Sequence, residues 1–132
     1  MAGVKQVILI RKDLKMRRGK EIAQGSHASM DFLVSALRAQ LKSQESNLCT
    51  ITVTEVEKAW MIVGMAKICL QVSSEQELLE HHQKALDAGL KSHLIRDSGK
   101  TEFGGVPTYT ACAIGPDFSE KLDAVTGDLG LY

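Results

Sequence analysis

Two polar segments of this chain carry side chains able to do acid–base or electrostatic chemistry, and they lie far apart in sequence. Residues 11 to 20 hold Arg11, Lys12, Lys15, Arg17, Arg18 and Lys20 against one carboxylate, Asp13. Residues 97 to 107 supply Asp97, Ser98, Lys100, Thr101 and Glu102 among three glycines and a proline. Cations ahead of a helix start make a natural seat for an anion, because the first N–H groups of a helix have no partner inside it. A lysine beside an aspartate favours the charged carboxylate, which can then orient or deprotonate a water. If the segments meet, Lys20 faces Asp97, 77 positions later, and Thr101 can hold that water or donate to an oxyanion. Out of context, the same residues describe a solvated basic loop and a surface Lys–Asp pair worth little. His27, in the helix after the basic segment, can contact a ligand or cap the polar edge of that helix.

Periodicity gives the elements that must position these segments. Val4 to Arg11 is a β-branched run, too short for a helix and suited to a buried strand. Beyond the basic segment, Ile22, Ser26, Met30, Leu33, Leu37 and Leu41 recur at helical steps and mark one face of a long helix starting near Gly19. Thr54-Glu55-Val56-Glu57 fits a capping box and predicts a short helix through Trp60, ended by Gly64. Ala66 to Val72 reads as a buried strand. Ser74-Glu75-Gln76-Glu77 is a second capping box, opening a helix that Gly89 stops. A strand at 92 to 96 follows, making a parallel, right-handed βαβ unit. The last strand covers 108 to 114 and is closed by Gly115-Pro116, and Ser119 caps a short helix ending at Gly127. The class is α/β, with residues 1 to 132 as one domain. With the first strand beside strand 92 to 96, both polar segments reach one sheet edge, where open α/β sheets place their sites.

Composition narrows the chemistry. Sixteen basic residues balance sixteen acidic ones, so any basic site is local, and six of those cations stand in the ten positions from 11 to 20. Three cysteines, at 49, 69 and 112, include no C-x-x-C pair, which points to neither a disulfide framework nor a zinc site. Cys69 and Cys112 lie in apolar runs and read as small core residues. No histidine pairs with another ligand type at metal spacing, so no metal is expected. The glycines match neither a P-loop nor a dinucleotide fingerprint. No stretch is apolar for long enough to span a membrane, and a reducing, cytoplasmic setting fits.

Four ordered segments resemble the type 2 peptidyl-tRNA hydrolases: Val7 to Met16 leading to Gly19-Lys20; Ile22-Ala23-Gln24-Gly25-Ser26-His27-Ala28; Gly64 to Val72 with Glu77-Leu78-Leu79; and Leu94 to Thr101, followed by Ala113-Ile114-Gly115-Pro116. Val125-Thr126-Gly127-Asp128-Leu129 is similar to the family's end. The resemblance implies a three-layer α/β/α fold with a mixed, mainly parallel sheet of about four strands. It implies hydrolysis of the ester joining a peptide to the 3′ ribose of tRNA, with peptidyl-tRNA as the partner and no cofactor. By the same resemblance the catalytic lysine falls on Lys20 and the aspartate on Asp97, and Gln24, His27 and Thr101 match site positions. A hydroxyl from the last strand belongs there too, with Thr108 the nearest candidate and Thr110 behind it. Lys15, Arg17 and Arg18, with Lys20, would engage tRNA phosphates.

Lys100-Thr101-Glu102 departs from the family's usual Arg-Thr-Gln, and Glu102 brings a negative charge that disfavours a nearby phosphate. A non-catalytic RNA- or protein-binding module on the same fold is the alternative reading, and a hydrolase of another acylated adduct is a third. The exposed first helix would support a homodimer.

Overall fold

The computed structural model describes residues 3–100 and 103–132. The elements follow in the order β1 (Val4–Arg11), α1 (Arg18–Ser43), α2 (Glu55–Val63), β2 (Lys67–Val72), α3 (Glu75–Asp87), β3 (Ser92–Asp97), β4 (Thr108–Phe118) and α4 (Ser119–Thr126). The four strands form one sheet in the order β2-β1-β4-β3. β1 pairs parallel with β2 and antiparallel with β4, and β4 pairs antiparallel with β3. β1, β2 and β3 therefore share a direction, and β4 alone opposes them.

Alternation along β1 divides the core. Val7 and Leu9 face one side, where they pack with Leu78 and Ala85 of α3 and Leu122 and Val125 of α4. Ile8 and Ile10 face the other, with Ala28 of α1, Ile95, Ala111 and Ala113. The sheet is thus buried on both faces, which is why β1 reads as a continuous apolar run. Leu9, Leu78, Ile114 and Leu122 are wholly buried, each contributing roughly 1.5–3 kcal/mol of transfer free energy. No helix among the described residues is long and apolar enough to cross a membrane.

The structure departs from the sequence-based expectations in four places. β1 does not lie beside β3, because β4 is inserted between them. β4 does not close at Gly115-Pro116 but continues to Phe118, pairing with β1 again across an irregularity between Lys5 and Val7. Gly115 takes a φ of 87° there, and a bulge is the place where a strand tolerates a proline.

The apolar stripe on α1 is not its packing face. Ile22 is 64% and Met30 59% exposed, whereas Gln24, Gly25, Ala28, Ser29 and Phe32 are buried. Small residues let the helix lie close: a Cβ on Gly25 would stand 3.7 Å from Ile10 Cδ1. Finally, Cys69 is exposed on the edge strand β2, while Cys112 is buried as expected, its thiol pushed by burial up to about 12.

Candidate active site

α1 begins where β1 ends and packs across β1, β4 and β3. Because β1 and β3 run the same way, their C-terminal ends share one edge of the sheet. Lys20, in the first turn of α1, and Asp97, at the end of β3, meet there. The two sequence-distant segments therefore converge as expected, by way of the helix rather than by neighbouring strands. Lys20 Nζ donates to Asp97 Oδ1 at 2.9 Å, and each side chain is 12% exposed.

Three more groups fix the aspartate. The backbone N–H of Gly99 donates to Asp97 Oδ2 at 2.8 Å, closing a local Asx turn. Gly99 has a φ of 82°, and a Cβ there would lie 2.1 Å from the Val106 carbonyl oxygen, so only glycine fits. Gln24, one helical turn after Lys20, extends its Nε2 to Asp97 Oδ1 at 3.4 Å. The buried Thr110 hydroxyl donates to Gln24 Oε1, which sets the amide's orientation. The Lys20 hydrogen bond is the main reason Asp97 sits below the ordinary aspartate value of 3.8; burial opposes it, and the Gly99 N–H and the charges of Lys20 and His27 add to it. Asp97 is thus held ionised, suited to orienting a water and to fixing the Lys20 ammonium.

The remaining sequence candidates fall in different places. Thr108 is the register partner of Asp97 across β3 and β4, but its hydroxyl donates to the Val106 carbonyl at 2.8 Å. Thr110 is the last-strand hydroxyl joined to the network. His27 is exposed. Lys15, Arg17 and Arg18 are exposed at the head of α1, and Arg17 occupies the N-cap with no side-chain capping bond. Thr101 and Glu102 lie outside the described residues. Arg11, counted with the basic segment, is buried: it grips Asp13 at 2.6 and 3.1 Å and donates to the Tyr109 carbonyl at 3.0 Å, so it braces the loop.

Phe103 had no role in the sequence-based reading, yet its ring centroid lies 5.9 Å from Lys20 Nζ. An aromatic in a glycine-rich loop after a site aspartate was the available signal. Among the described residues no three His, Cys, Asp or Glu side chains converge as metal ligands would.

Comparison with known proteins bears on this geometry. The family model described as peptidyl-tRNA hydrolase PTH2 matches residues 4–132. The chain belongs to the PTH2 family. Among its relatives, a peptidyl-tRNA hydrolase of Methanopyrus kandleri is 43% identical over 96% of this chain and 97% of its own length. One of Methanocaldococcus jannaschii is 37% identical over 97% and 99%. A probable peptidyl-tRNA hydrolase 2 of Dictyostelium discoideum is 39% identical over 97% of this chain but 54% of its own length. Family membership agrees with the α/β sheet and gives the converging Lys20–Asp97 pair a chemical context.

Proposed function

We propose that this chain hydrolyses the ester of peptidyl-tRNA at the Lys20–Asp97 pair. The observation that carries the assignment is the 2.9 Å contact between Lys20 Nζ and Asp97 Oδ1 at the sheet edge. In this reading Asp97 accepts a hydrogen bond from the attacking water and aims it. The water oxygen bonds to the ester carbonyl carbon, and the Lys20 ammonium neutralises the oxyanion that forms. The carbon–oxygen bond to the 3′ ribose then breaks, and the ribose oxygen takes the proton that the water gives up. Gln24 and Thr110 hold Asp97 in register, Thr101 is the further hydroxyl assigned to the tetrahedral intermediate, and Thr108 stands at the edge of the site with its hydroxyl donating to the Val106 carbonyl. His27, on the same flank of α1, contacts the substrate.

Lys15, Arg17 and Arg18 contact tRNA phosphates. Lys12 and Lys15 border a cavity of about 440 Å³ beside this loop, which supports that role. The setting is the cytoplasm, and the stretch from Met30 to Leu41 of α1 pairs two copies into a homodimer, which sedimentation at rising concentration checks. The deciding assay is release of free peptide from peptidyl-tRNA. Wild type turns over, and Lys20→Ala and Asp97→Ala lose turnover while still binding tRNA. Full activity in both variants overturns the site; tRNA binding by wild type without turnover favours a binding module.

A further inference from the structure

An apolar hollow lies on the opposite flank of α1 from the Lys20–Asp97 pair. It has a volume of about 370 Å³, and its lining includes Ile8, Ile10, Glu21, Ile22, Ser26 and Cys69. It exists because α1 packs on β1, β4 and β3 and not on β2, whose free edge carries the C-terminal residues Gly130 to Tyr132, and Tyr132 also lines the hollow. Arg18 and Lys67 border it as well. Within it, Glu21 Oε2 is buried and makes no hydrogen bond among the described residues, while the Glu21 carboxylate as a whole faces the Tyr132 hydroxyl and pushes its pKa up to about 12. A buried carboxylate oxygen without a donor is costly, and a ligand N–H would relieve that cost.

Helix geometry ties this hollow to the site. Lys20, Gln24 and His27 follow one another at steps of four and three along one flank of α1. Arg18, Ile22, Gly25 and Ser29 do the same along the other flank, beside the hollow. The exposed ridge between the flanks begins with Gly19 and Ala23, and a Cβ on Gly19 would meet nothing within 4 Å. The helix therefore offers its lowest crossing at its first turn, next to Lys20.

We propose that the groove between α1 and β2 seats the peptide of the substrate, which crosses the Gly19–Ala23 saddle from an ester held at Lys20 and Asp97. This rests on the peptidyl-tRNA reading above. An occupant with apolar side chains fits the Ile8, Ile10 and Ile22 walls. Its backbone N–H fits Glu21, and its carbonyls fit Lys67. A nucleic-acid backbone fits poorly, since the buried acceptor is an anion and the walls are apolar. Half the circumference of a helix about 10 Å across is roughly 16 Å, or about five extended residues. The groove thus reads residues about five positions from the ester and ignores the first.

Two measurements test this. The first compares kcat/KM on N-acetyl-aminoacyl-tRNA and on a tRNA carrying an N-acetylated apolar hexapeptide. Wild type prefers the long substrate, and Ser26→Phe, which fills the groove from its exposed wall, lowers the long-to-short ratio about tenfold through KM. Glu21→Ala lowers it in the same direction. The second follows alkylation of Cys69 by mass spectrometry at alkaline pH, with a free N-acetyl apolar hexapeptide amide as probe. The peptide slows Cys69 alkylation in wild type and in Lys20→Ala, and not in Ser26→Phe. An unchanged length ratio in Ser26→Phe together with unprotected Cys69 overturns the groove. Protection that follows protein concentration instead of peptide also overturns it, since a second copy then covers the site. If wild type cleaves neither substrate, the peptidyl-tRNA reading fails by itself, and Cys69 protection still decides whether the groove takes peptide.

Discussion

Two of the lysine–carboxylate pairs among the described residues have nearly equal length and opposite settings. Lys20 and Asp97 meet at 2.9 Å with both side chains largely buried. Lys91 and Glu57 meet at 2.7 Å, with Glu57 2% and Lys91 51% exposed. Glu57 also completes the capping box of α2: its Oε1 accepts from the Thr54 N–H at 2.8 Å while Thr54 Oγ1 accepts from the Glu57 N–H at 3.1 Å. One oxygen closes the cap of α2 and the other ties α2 to Lys91, just ahead of β3, and that lysine is a half-solvated counterion. Asp97 instead joins a helix start, a strand end and a glycine-rich loop, and its lysine lies under an aromatic ring. An ion pair distance does not distinguish a brace from a reactive site; the elements it joins do.

Exchanging the roles of the two pairs gives the largest effects. Lys20→Ala and Asp97→Ala each lower kcat for peptidyl-tRNA by about 10²–10⁴, the range for losing one acid–base or oxyanion group, and each also lowers thermal stability by depriving its partner of this ion pair. Lys91→Ala lowers stability and leaves kcat unchanged. It leaves the buried Glu57 charge without its partner and costs about 2 kcal/mol, less than a fully buried pair because water already reaches Lys91. A kcat assay beside a thermal melt reads both, and equal activity losses at Lys20 and Lys91 would break the distinction.

The convergence of Lys20 and Asp97 was legible because both stand at turns between a strand and a polar loop. The route was not. Periodicity locates strands, but the insertion of β4 between β1 and β3 is a long-range pairing that no local pattern encodes. The face of α1 was misread for a related reason. Large apolar residues at helical spacing normally mark a packed face, but here close approach to the sheet selects Gly25, Ala28 and Ser29, and the large residues are left outside. The capping box at Thr54 formed as written. That at Ser74 formed by half, because Glu77 Oε1 accepts from the Ser73 N–H at 3.2 Å instead of from Ser74. Thr110 looked secondary to Thr108, since spacing cannot say which hydroxyl a buried glutamine will meet. Thr101 falls outside the described residues, so its place in the site rests on resemblance.

The brace behind the active pair comes next in size. Thr110→Val removes the donor to Gln24 and leaves a buried amide oxygen unpaired, which costs about 1–3 kcal/mol. It also frees Gln24 to turn away from Asp97, and kcat falls about tenfold with KM nearly unchanged. Thr108→Val, whose hydroxyl meets only the Val106 carbonyl in the described contacts, costs less on both measures. The opposite order would move the working hydroxyl to Thr108.

Titration separates the pairs further. Both carboxylates sit below their ordinary values. For Glu57, burial raises the value and is the largest influence, but the Lys91 hydrogen bond and Thr54 outweigh it. For Asp97 the Lys20 hydrogen bond is itself the largest influence. A depressed carboxylate contributes stability that is present above its unfolded pKa and lost as pH falls through its folded pKa. Both contributions are therefore intact at neutral pH and fade only in acid, below 3.8 for Asp97 and 4.5 for Glu57. Carboxyl NMR titration of Lys20→Met and Lys91→Met shows each partner carboxyl titrating at higher pH. Neither loses all its support, because Asp97 keeps the Gly99 N–H and Glu57 keeps the Thr54 N–H.

The smallest expected effect concerns the ring over Lys20. Phe103 places its centroid 5.9 Å from Nζ, near the outer limit for a cation–π contact, where such a contact contributes about 0.5–1 kcal/mol. Phe103→Leu keeps an apolar cover over the first turn of α1 but removes the negative face of the ring. The ammonium then loses one of the groups holding it in place, and kcat falls about two- to fivefold. Phe103→Ala also removes the contact with the Ile8, Ile10 and Met16 cluster, admits water to the pair and lowers kcat further. Thermal melts separate the two causes, since Leu retains the cluster contact and Ala does not. A leucine variant as slow as the alanine variant, with unchanged stability, would show that the ring's charge distribution outweighs its bulk in holding Lys20. Lys91 has no ring contact of this kind among the described residues, so the same change near it has no counterpart.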